Sequence, residues 1–264
     1  MGLPIIVVGA GGRMGKTICD LVLDNPDMDL VGMVERPEYQ PRVAPVDCVV
    51  SDDFESVVDT CPENLVVIDF SNPQNSMHTA EVCAREGISL VIGTTGFSAE
   101  EQSQLAAYAR KTRLFWAPNM SVGVSVLQKI LPLLVKDLGD DYDVEIAEIH
   151  HHNKKDAPSG TALRLGECIA EARGWELDKV RTSGRDGIIG PRPKDEMGIM
   201  ALRGGSVVGV HTVYFLGEGE SIEVTHRAES RANFARGALR AAKWLSGQEA
   251  GKLYTMKDMF ETAS

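Results

Sequence analysis

The sequence has no basic excess. Its 264 residues carry 27 Lys plus Arg against 38 Asp plus Glu, a formal net charge of −11. Such a surface repels nucleic acid and anionic membranes as a whole, so neither is an expected partner, and any anionic ligand must be captured by a local basic pocket. Cysteine is scarce and unpaired in pattern: Cys19, Cys48, Cys61, Cys83 and Cys168, an odd number with no C-x-x-C. That excludes a disulfide framework and a zinc ribbon and points to a reducing compartment. The stretch Met1 to Val8 lacks the basic region of a signal peptide. No apolar run approaches the roughly 20 residues that span a bilayer. A cytoplasmic protein is expected. There is no internal repeat and no low-complexity segment. Hydrophobic residues at 43% and charged residues at 25% fit a globular chain of one large or two ordinary domains.

The first part alternates strand and helix signals. Ile5 to Val8, Leu30 to Val34, Leu65 to Ile68, Leu90 to Ile92 and Leu114 to Trp116 read as buried strands. Helices are expected from Arg13 to Leu23, from Pro73 to Arg85, and from a capping box at Ser98 and Glu101 to about Arg110. Pro37, Pro41 and Pro45 mark a loop. Repeated strand–helix–strand units predict an α/β, doubly wound parallel sheet over residues 1–121. The pattern then changes. A helix from Val122 to Leu138 precedes strand-like runs at Tyr142 to Ile149, Ile199 to Leu202, Val207 to Phe215 and Ile222 to Thr225, interrupted by a helix from Ala162 to Ala172. Gly204 and Gly205 read as a hairpin turn. These runs predict a second, α+β domain over 122–230 with a mixed, largely antiparallel sheet. The helical segment from Arg231 lies in a C-terminal stretch, 231–264, expected to pack back on the first domain.

Residues 9 to 15 read G-A-G-G-R-M-G, with glycines at 9, 12 and 15 and Met14 where the usual G-x-G-x-x-G would place its last glycine. Glycines there permit a tight turn and let backbone N–H groups approach a pyrophosphate at a helix N-terminus. Glu35 ends the next strand signal, where a carboxylate bonds ribose hydroxyls. Arg36 follows and suits a 2′-phosphate, so NADH or NADPH is the expected cofactor, on a Rossmann-like sheet; a merely solvated Arg36 stays open. D-F-S at Asp69, G-T-T-G at Gly93 and A-P-N-M-S at Ala117 also follow strands and are candidate walls for the nicotinamide.

Six residues from His150 to Lys155 hold three of the six histidines and two lysines. Three readings are open. The cluster is a solvated basic loop; or it binds a metal through His150, His152 and Glu148, which the adjacent lysines and the absence of H-E-x-x-H oppose; or it binds an anionic substrate and supplies a proton. Histidine titrates near neutral pH, and a lysine among cations is a competent acid. The following D-A-P-S-G-T favours the third reading. Ser159, Gly160 and Thr161 open a helix, and its N–H groups and hydroxyls would face an incoming carboxylate. A dicarboxylate would use both sides of such a receptor.

Glu148 to Ala162 reads E-x-H-H-x-x-K-x-D-A-P-S-G-T-A. With G-A-G-G-R-M-G, G-T-T-G-F, N-M-S-V-G-V at Asn119, V-G-V-H-T-V at Val208, G-E-G-E at Gly217 and T-H-R-A-E-S-R at Thr225, the sequence resembles the 4-hydroxy-tetrahydrodipicolinate reductase (dihydrodipicolinate reductase) family along nearly its whole length. The resemblance implies that His150 is the general acid, with Lys154 its partner and a substrate contact. It implies that His151 touches substrate and that Ser159, Gly160 and Thr161 hold a carboxylate. Gly9, Gly12, Arg13, Met14 and Gly15 would meet the cofactor, with Glu35 and Arg36 at the adenosine ribose. Gly93, Thr95, Pro118, Asn119 and Met120 would line the nicotinamide side; Met120 stands where the family commonly has Phe. Arg231 would sit near a hinge, no metal is implied, and the assembly would be a homotetramer built through the second domain's sheet. The implied reaction is NAD(P)H-dependent reduction of a cyclic dicarboxylate in the diaminopimelate and lysine pathway. Two other readings remain on the residues alone: an amino-acid dehydrogenase of the same architecture, and a nucleotide-sensing protein without turnover.

Overall fold

A computed structural model describes residues 2–43 and 46–261. Pro45 of the expected loop, and residues 1 and 262–264 at the ends of the expected domains, lie outside the described residues. In chain order the elements are β1 (Leu3–Val8), α1 (Arg13–Leu23), β2 (Met28–Val34), β3 (Val49–Ser51), α2 (Phe54–Asp59), β4 (Val66–Asp69), α3 (Pro73–Glu86), β5 (Ser89–Ile92), α4 (Ala99–Tyr108), β6 (Leu114–Trp116) and α5 (Val122–Leu138). They continue as β7 (Asp143–His150), α6 (Gly160–Arg173), α7 (Leu177–Val180), β8 (Arg181–Thr182), β9 (Met197–Arg203), β10 (Gly209–Leu216), β11 (Ser221–Ala228), α8 (Ala232–Leu245), β12 (Leu253–Tyr254) and α9 (Met256–Glu261). The chain divides into two compact units, Met1–Ser121 with Arg231–Ser264, and Val122–Ser230.

The first unit holds a seven-stranded sheet in the order β12-β6-β5-β4-β1-β2-β3, with every pairing parallel. β4 and β5 are buried along their whole length, as unalternating apolar strands covered on both faces must be. The chain starts in the middle at β1, winds outward to β3, then returns beside β1 at β4 and winds the other way. The gap between the carboxyl ends of β1 and β4 is therefore a topological switch point, where such sheets bind ligands. Helix α8 packs on α1, β4 and β5, which brings the C-terminal segment into this unit. Its Gly237 is required by that fit: a Cβ there would lie 1.8 Å from the Met120 carbonyl oxygen.

The second unit holds a five-stranded mixed sheet in the order β11-β10-β7-β9-β8. The β7–β10 and β10–β11 pairs are antiparallel, and β7–β9 and β8–β9 are parallel. The expected hairpin at Gly204 and Gly205 is corrected by this order. β9 and β10 are not neighbours, because β7 lies between them. The glycine segment instead crosses the end of β7, where the His150 carbonyl accepts the Gly204 N–H at 2.9 Å. One face of the sheet joins Leu127, Leu131, Leu165 and Ile169 of α5 and α6 in a core with Val144, Ile146, Val213 and Phe215. Strand alternation sends Glu148 and His150 to that same face.

Candidate active site

The nucleotide side begins with what glycine omits. Gly9 turns at φ +79°, and Gly12 caps α1 with no side-chain hydrogen bond. The first N–H groups of α1 thus have no side-chain acceptor at the cap and point off the helix end, the arrangement that binds phosphate. A Cβ on Gly15 would lie 2.0 Å from the Gly9 carbonyl oxygen and 2.7 Å from the Ala10 Cα, so the helix can approach its turn only with glycine there. Beyond the turn is a cavity of about 260 Å3, lined by Gly9, Gly11, Gly12, Glu35, Arg36, Tyr39, Arg42, Asp52, Phe70, Ser71 and Asn72 among others. This is the switch point. It offers bare glycine backbone and a carboxylate one strand away, the groups that the pyrophosphate and ribose of a dinucleotide call for.

Glu35 is fixed by two main-chain donors, the Gly11 N–H at 2.8 Å and the Arg36 N–H at 2.9 Å. The Arg36 and Arg42 guanidinium carbons stand 4.8 and 4.4 Å from the Tyr39 ring centroid, a cation–π arrangement that gathers two cations on one ring, and Arg36 also pairs with Glu38 at 3.4 Å. Sequence reasoning found Arg36 but not Gly11, Tyr39 or Arg42. Gly93 sits beneath Phe70: a Cβ there would lie 2.1 Å from the ring. Thr95 is exposed, while its neighbour Thr94 is buried and receives the Ser76 hydroxyl at 2.8 Å. Burial raises the Asp69 carboxyl above its usual range, against the donors of Ser71. Pro118 is exposed, Asn119 accepts the Ser121 N–H at 2.9 Å, and Met120 is buried under α8. Arg13, Met14 and Gly15 lie in the first turn of α1. They do not line the cavity, and neither do Gly93, Thr95 or residues 118–120.

In the second unit the crowded histidines and lysines separate. His150 is 8% exposed at the end of β7, His151 and Lys154 are half-buried, and His152 and Lys155 face solvent. The anions between the cations come from the chain itself. Glu148, 0% exposed, lies 2.5 Å from His150 Nδ1. The Arg203 fork donates to both of its oxygens at 2.8 Å, and the Ser159 N–H adds a fourth bond at 2.9 Å. Burial alone would raise the Glu148 carboxyl, but Arg203, His150 and Ser159 together hold it below the usual carboxylate range. Lys154 Nζ meets Asp156 Oδ1 at 2.9 Å and keeps that carboxyl low as well.

Beside this pair, register places His211 opposite Glu148 and His226 opposite His211. The His150 and His211 rings are 5.1 Å apart. Burial first, and the charge of His150 second, depress His211 from 6.5 to about 4, so it is neutral at physiological pH. Ser159 caps α6 by accepting the Ala162 N–H at 3.2 Å and stands 3.1 Å from His211 Nε2. Ser159 is therefore engaged within the protein by both its N–H and its hydroxyl, while Gly160 is exposed and Thr161 half-buried in the first turn of α6. Among the predicted site residues, the structure brings His150, Lys154, Ser159, Gly160 and Thr161 to one end of β7 and α6. It adds Arg203 and His211, which sequence reasoning missed because they enter from other strands. V-G-V-H-T-V, noticed only as a motif, contained the signal for His211. Among the described residues no group of three or more His, Cys, Asp or Glu is placed to hold a metal ion, and no helix is long and apolar enough to cross a membrane.

Comparison with known proteins covers nearly the whole chain. Residues 3–120 match the family model described as dihydrodipicolinate reductase, N-terminus, and residues 123–260 match the model of its C-terminus. A 4-hydroxy-tetrahydrodipicolinate reductase of Nitratidesulfovibrio vulgaris is 58% identical over 98% of this chain and 100% of its own length. That of Lawsonia intracellularis is 47% identical over the same shares. Among solved structures, a dipicolinate-bound dihydrodipicolinate reductase from Paenisporosarcina sp. TG-14 superposes with a TM-score of 0.77 at 25% identity, covering 97% of this chain and 98% of that one. An amine dehydrogenase from Mycobacterium smegmatis, at 12% identity and a TM-score of 0.59, shares the fold alone. Matched along nearly all of both units, this chain belongs to the dihydrodipicolinate reductase family.

Proposed function

We propose that this chain reduces 4-hydroxy-tetrahydrodipicolinate to tetrahydrodipicolinate with NADH or NADPH, in the diaminopimelate and lysine pathway. The observation that carries the reading is the arrangement at the end of β7. An imidazole held by a buried carboxylate and a lysine ammonium stand beside the Ser159-capped N-terminus of α6. A ring bearing two carboxylates needs cations and helix N–H groups to bind, and an acid to finish its reduction.

With the 4-hydroxyl lost as water, the ring is a conjugated imine, and the reduced nicotinamide, when bound, would supply a hydride to the ring carbon that carried the hydroxyl. The chain's residues do the rest. Gly9, Gly12, Arg13, Met14 and Gly15 present backbone to the pyrophosphate, and Glu35 takes the ribose hydroxyls. Arg36, with Arg42 beside it, receives a 2′-phosphate. Gly93, Thr95, Pro118, Asn119 and Met120 shape the nicotinamide side. Gly160 and Thr161 hold one substrate carboxylate, with Ser159 setting the cap, and Lys154 and His151 contact the substrate. As electrons move to the ring nitrogen an enamine forms, and His150 protonates its beta carbon, next to the carbon that took the hydride, with Lys154 stabilising the developing negative charge.

A homotetramer is part of the proposal. The sheet face opposite α5 and α6 exposes Leu202 and Leu216 beside half-buried Ile149, Met200 and Tyr214, a surface suited to a second copy. Five unpaired cysteines agree with a cytoplasmic setting.

The test is direct. Purified protein is mixed with freshly generated substrate and NADH or NADPH, and the absorbance of the reduced cofactor is followed. Substrate-dependent oxidation is expected. Cofactor binding with no oxidation would identify a nucleotide-binding protein, and oxidation only with another keto acid an amino-acid dehydrogenase; either result overturns the proposal.

A further inference from the structure

Glu148 makes two hydrogen bonds at each carboxylate oxygen. Oε1 receives the Ser159 N–H at 2.9 Å and Arg203 Nη2 at 2.8 Å; Oε2 receives Arg203 Nη1 at 2.8 Å and faces His150 Nδ1 at 2.5 Å. The side chain has no contact with solvent. An ionised carboxylate is acceptor-only, so the hydrogen shared with His150 must sit on Nδ1. That leaves Nε2 as the one imidazole nitrogen that can exchange a proton with a ligand. Gly209 of β10 keeps Nε2 unobstructed, since a Cβ there would lie 3.0 Å from it.

We propose that Glu148 is a positioning residue for proton delivery: it fixes His150 as the Nδ1–H form and ties that imidazole, through the Ser159 N–H, to the helix end that receives the substrate carboxylate. The inference deepens the function proposed above and rests on His150 being the acid. One carboxylate thereby sets the distance between the acid and the carboxylate cradle. Arg203 supplies the counter-charge that lets it remain anionic without solvent. The other charged or titratable groups near His150 are His211 on β10, and Lys154 with Asp156 in the following loop. Lys154 and Asp156 are paired with each other, and His211 is neutral at working pH.

Steady-state kinetics of the full chain test this with Glu148→Gln, His150→Gln and the double variant. An amide cannot accept at both ends, so one end must oppose a donor. Glu148→Gln is expected to lower kcat about 100-fold, within the range of general-acid effects, and to leave NADH affinity unchanged. In the His150→Gln background it should cause no further loss, because residues acting as one unit are not additive. Glu148→Asp, one methylene shorter, should fall between Glu148→Gln and the parent. 15N shifts of His150 in the unaltered protein should show hydrogen on Nδ1. Parental kcat in Glu148→Gln beside an inactive His150→Gln would overturn the inference, and so would losses that multiply in the double variant. Should Glu148→Gln not fold, a His150 carrying its hydrogen on Nε2 alone in the parent protein would overturn it as well. Parental kcat in His150→Gln is the separable failure: it removes His150 as the acid, and this inference with it.

Discussion

The two halves of this chain build their sites by opposite means. In the first unit the decisive feature is missing side chain. The turn after β1 works because nothing projects from positions 9, 12 and 15, and the helix end it exposes belongs to the backbone. In the second unit the site is buried ionisable side chain, with Glu148, His150, Arg203 and His211 arriving from three neighbouring strands. A phosphate is a fixed charge that asks only for donors in the right places. A proton donor must change charge during turnover, and its surroundings must tolerate both states. Backbone suffices for the first task, whereas the second needs a compensated network.

If the halves are separate in this way, variants should fail separately. The largest effect is expected for His150→Gln, which should lower kcat by about 10²- to 10⁴-fold while NADH binding, followed by fluorescence titration, stays at the parental level. A parallel loss of cofactor affinity would break the comparison.

Next in size is a pH effect confined to the second unit. His211 is held at about 4 against an ordinary 6.5. Above pH 6.5 the folded and unfolded chains both carry it neutral. As pH falls from 6.5 toward 4, only the unfolded chain takes the proton, so stability is lost across that window and the loss ends below it. The contribution is at most about 3 kcal/mol. His211→Gln should flatten the fall of urea midpoints between pH 6.5 and 4; an unchanged slope would show that His211 takes up its proton equally in the folded and unfolded chains.

Gly15→Ala acts on the other half. The added methyl must push α1 off the Gly9 carbonyl, at about 1–3 kcal/mol of stability, as overpacking costs. Thermal unfolding should register that loss, together with weaker NADH binding and an unchanged solvent isotope effect on turnover. The smallest effect is expected for Arg36→Ala, which should raise the KM for NADPH about tenfold more than that for NADH, on the order of one charge-assisted hydrogen bond. Equal changes for both cofactors would remove Arg36 from the phosphate position. A small selective effect would sharpen the role of Arg42, which stacks on the same tyrosine.

This contrast also explains what could be read before the structure. The glycine turn, the buried strands and the Ser98–Glu101 capping box were legible because each is local. A 17-residue helix such as α5 repeats its period often enough to be recognised. β3, α2, α7, β8, β12 and α9 were not legible; at two to six residues they hold too little pattern, and their neighbours decide them. Gly204 and Gly205 misled for a related reason. Turn chemistry reports that the chain bends, but not that β7 will lie between the strands on either side. In the second unit the motif from Glu148 to Thr161 marked the candidate site, yet the partner that keeps Glu148 ionised lies 55 residues further along the chain. Only the parallel pairing of β7 with β9 brings Arg203 there. Likewise Tyr39 and Arg42 carry no spacing signal, and the fold makes them walls of the cavity beside Gly9.

A structure of the protein with NADH and pyridine-2,6-dicarboxylate would decide most directly whether both halves serve one reaction. One carboxylate should lie on the Gly160 and Thr161 end of α6 beside Lys154, with His150 Nε2 within hydrogen-bond reach of the ring and the nicotinamide facing it. A dicarboxylate bound elsewhere, with the loop from His151 to Lys155 turned to solvent, would contradict it.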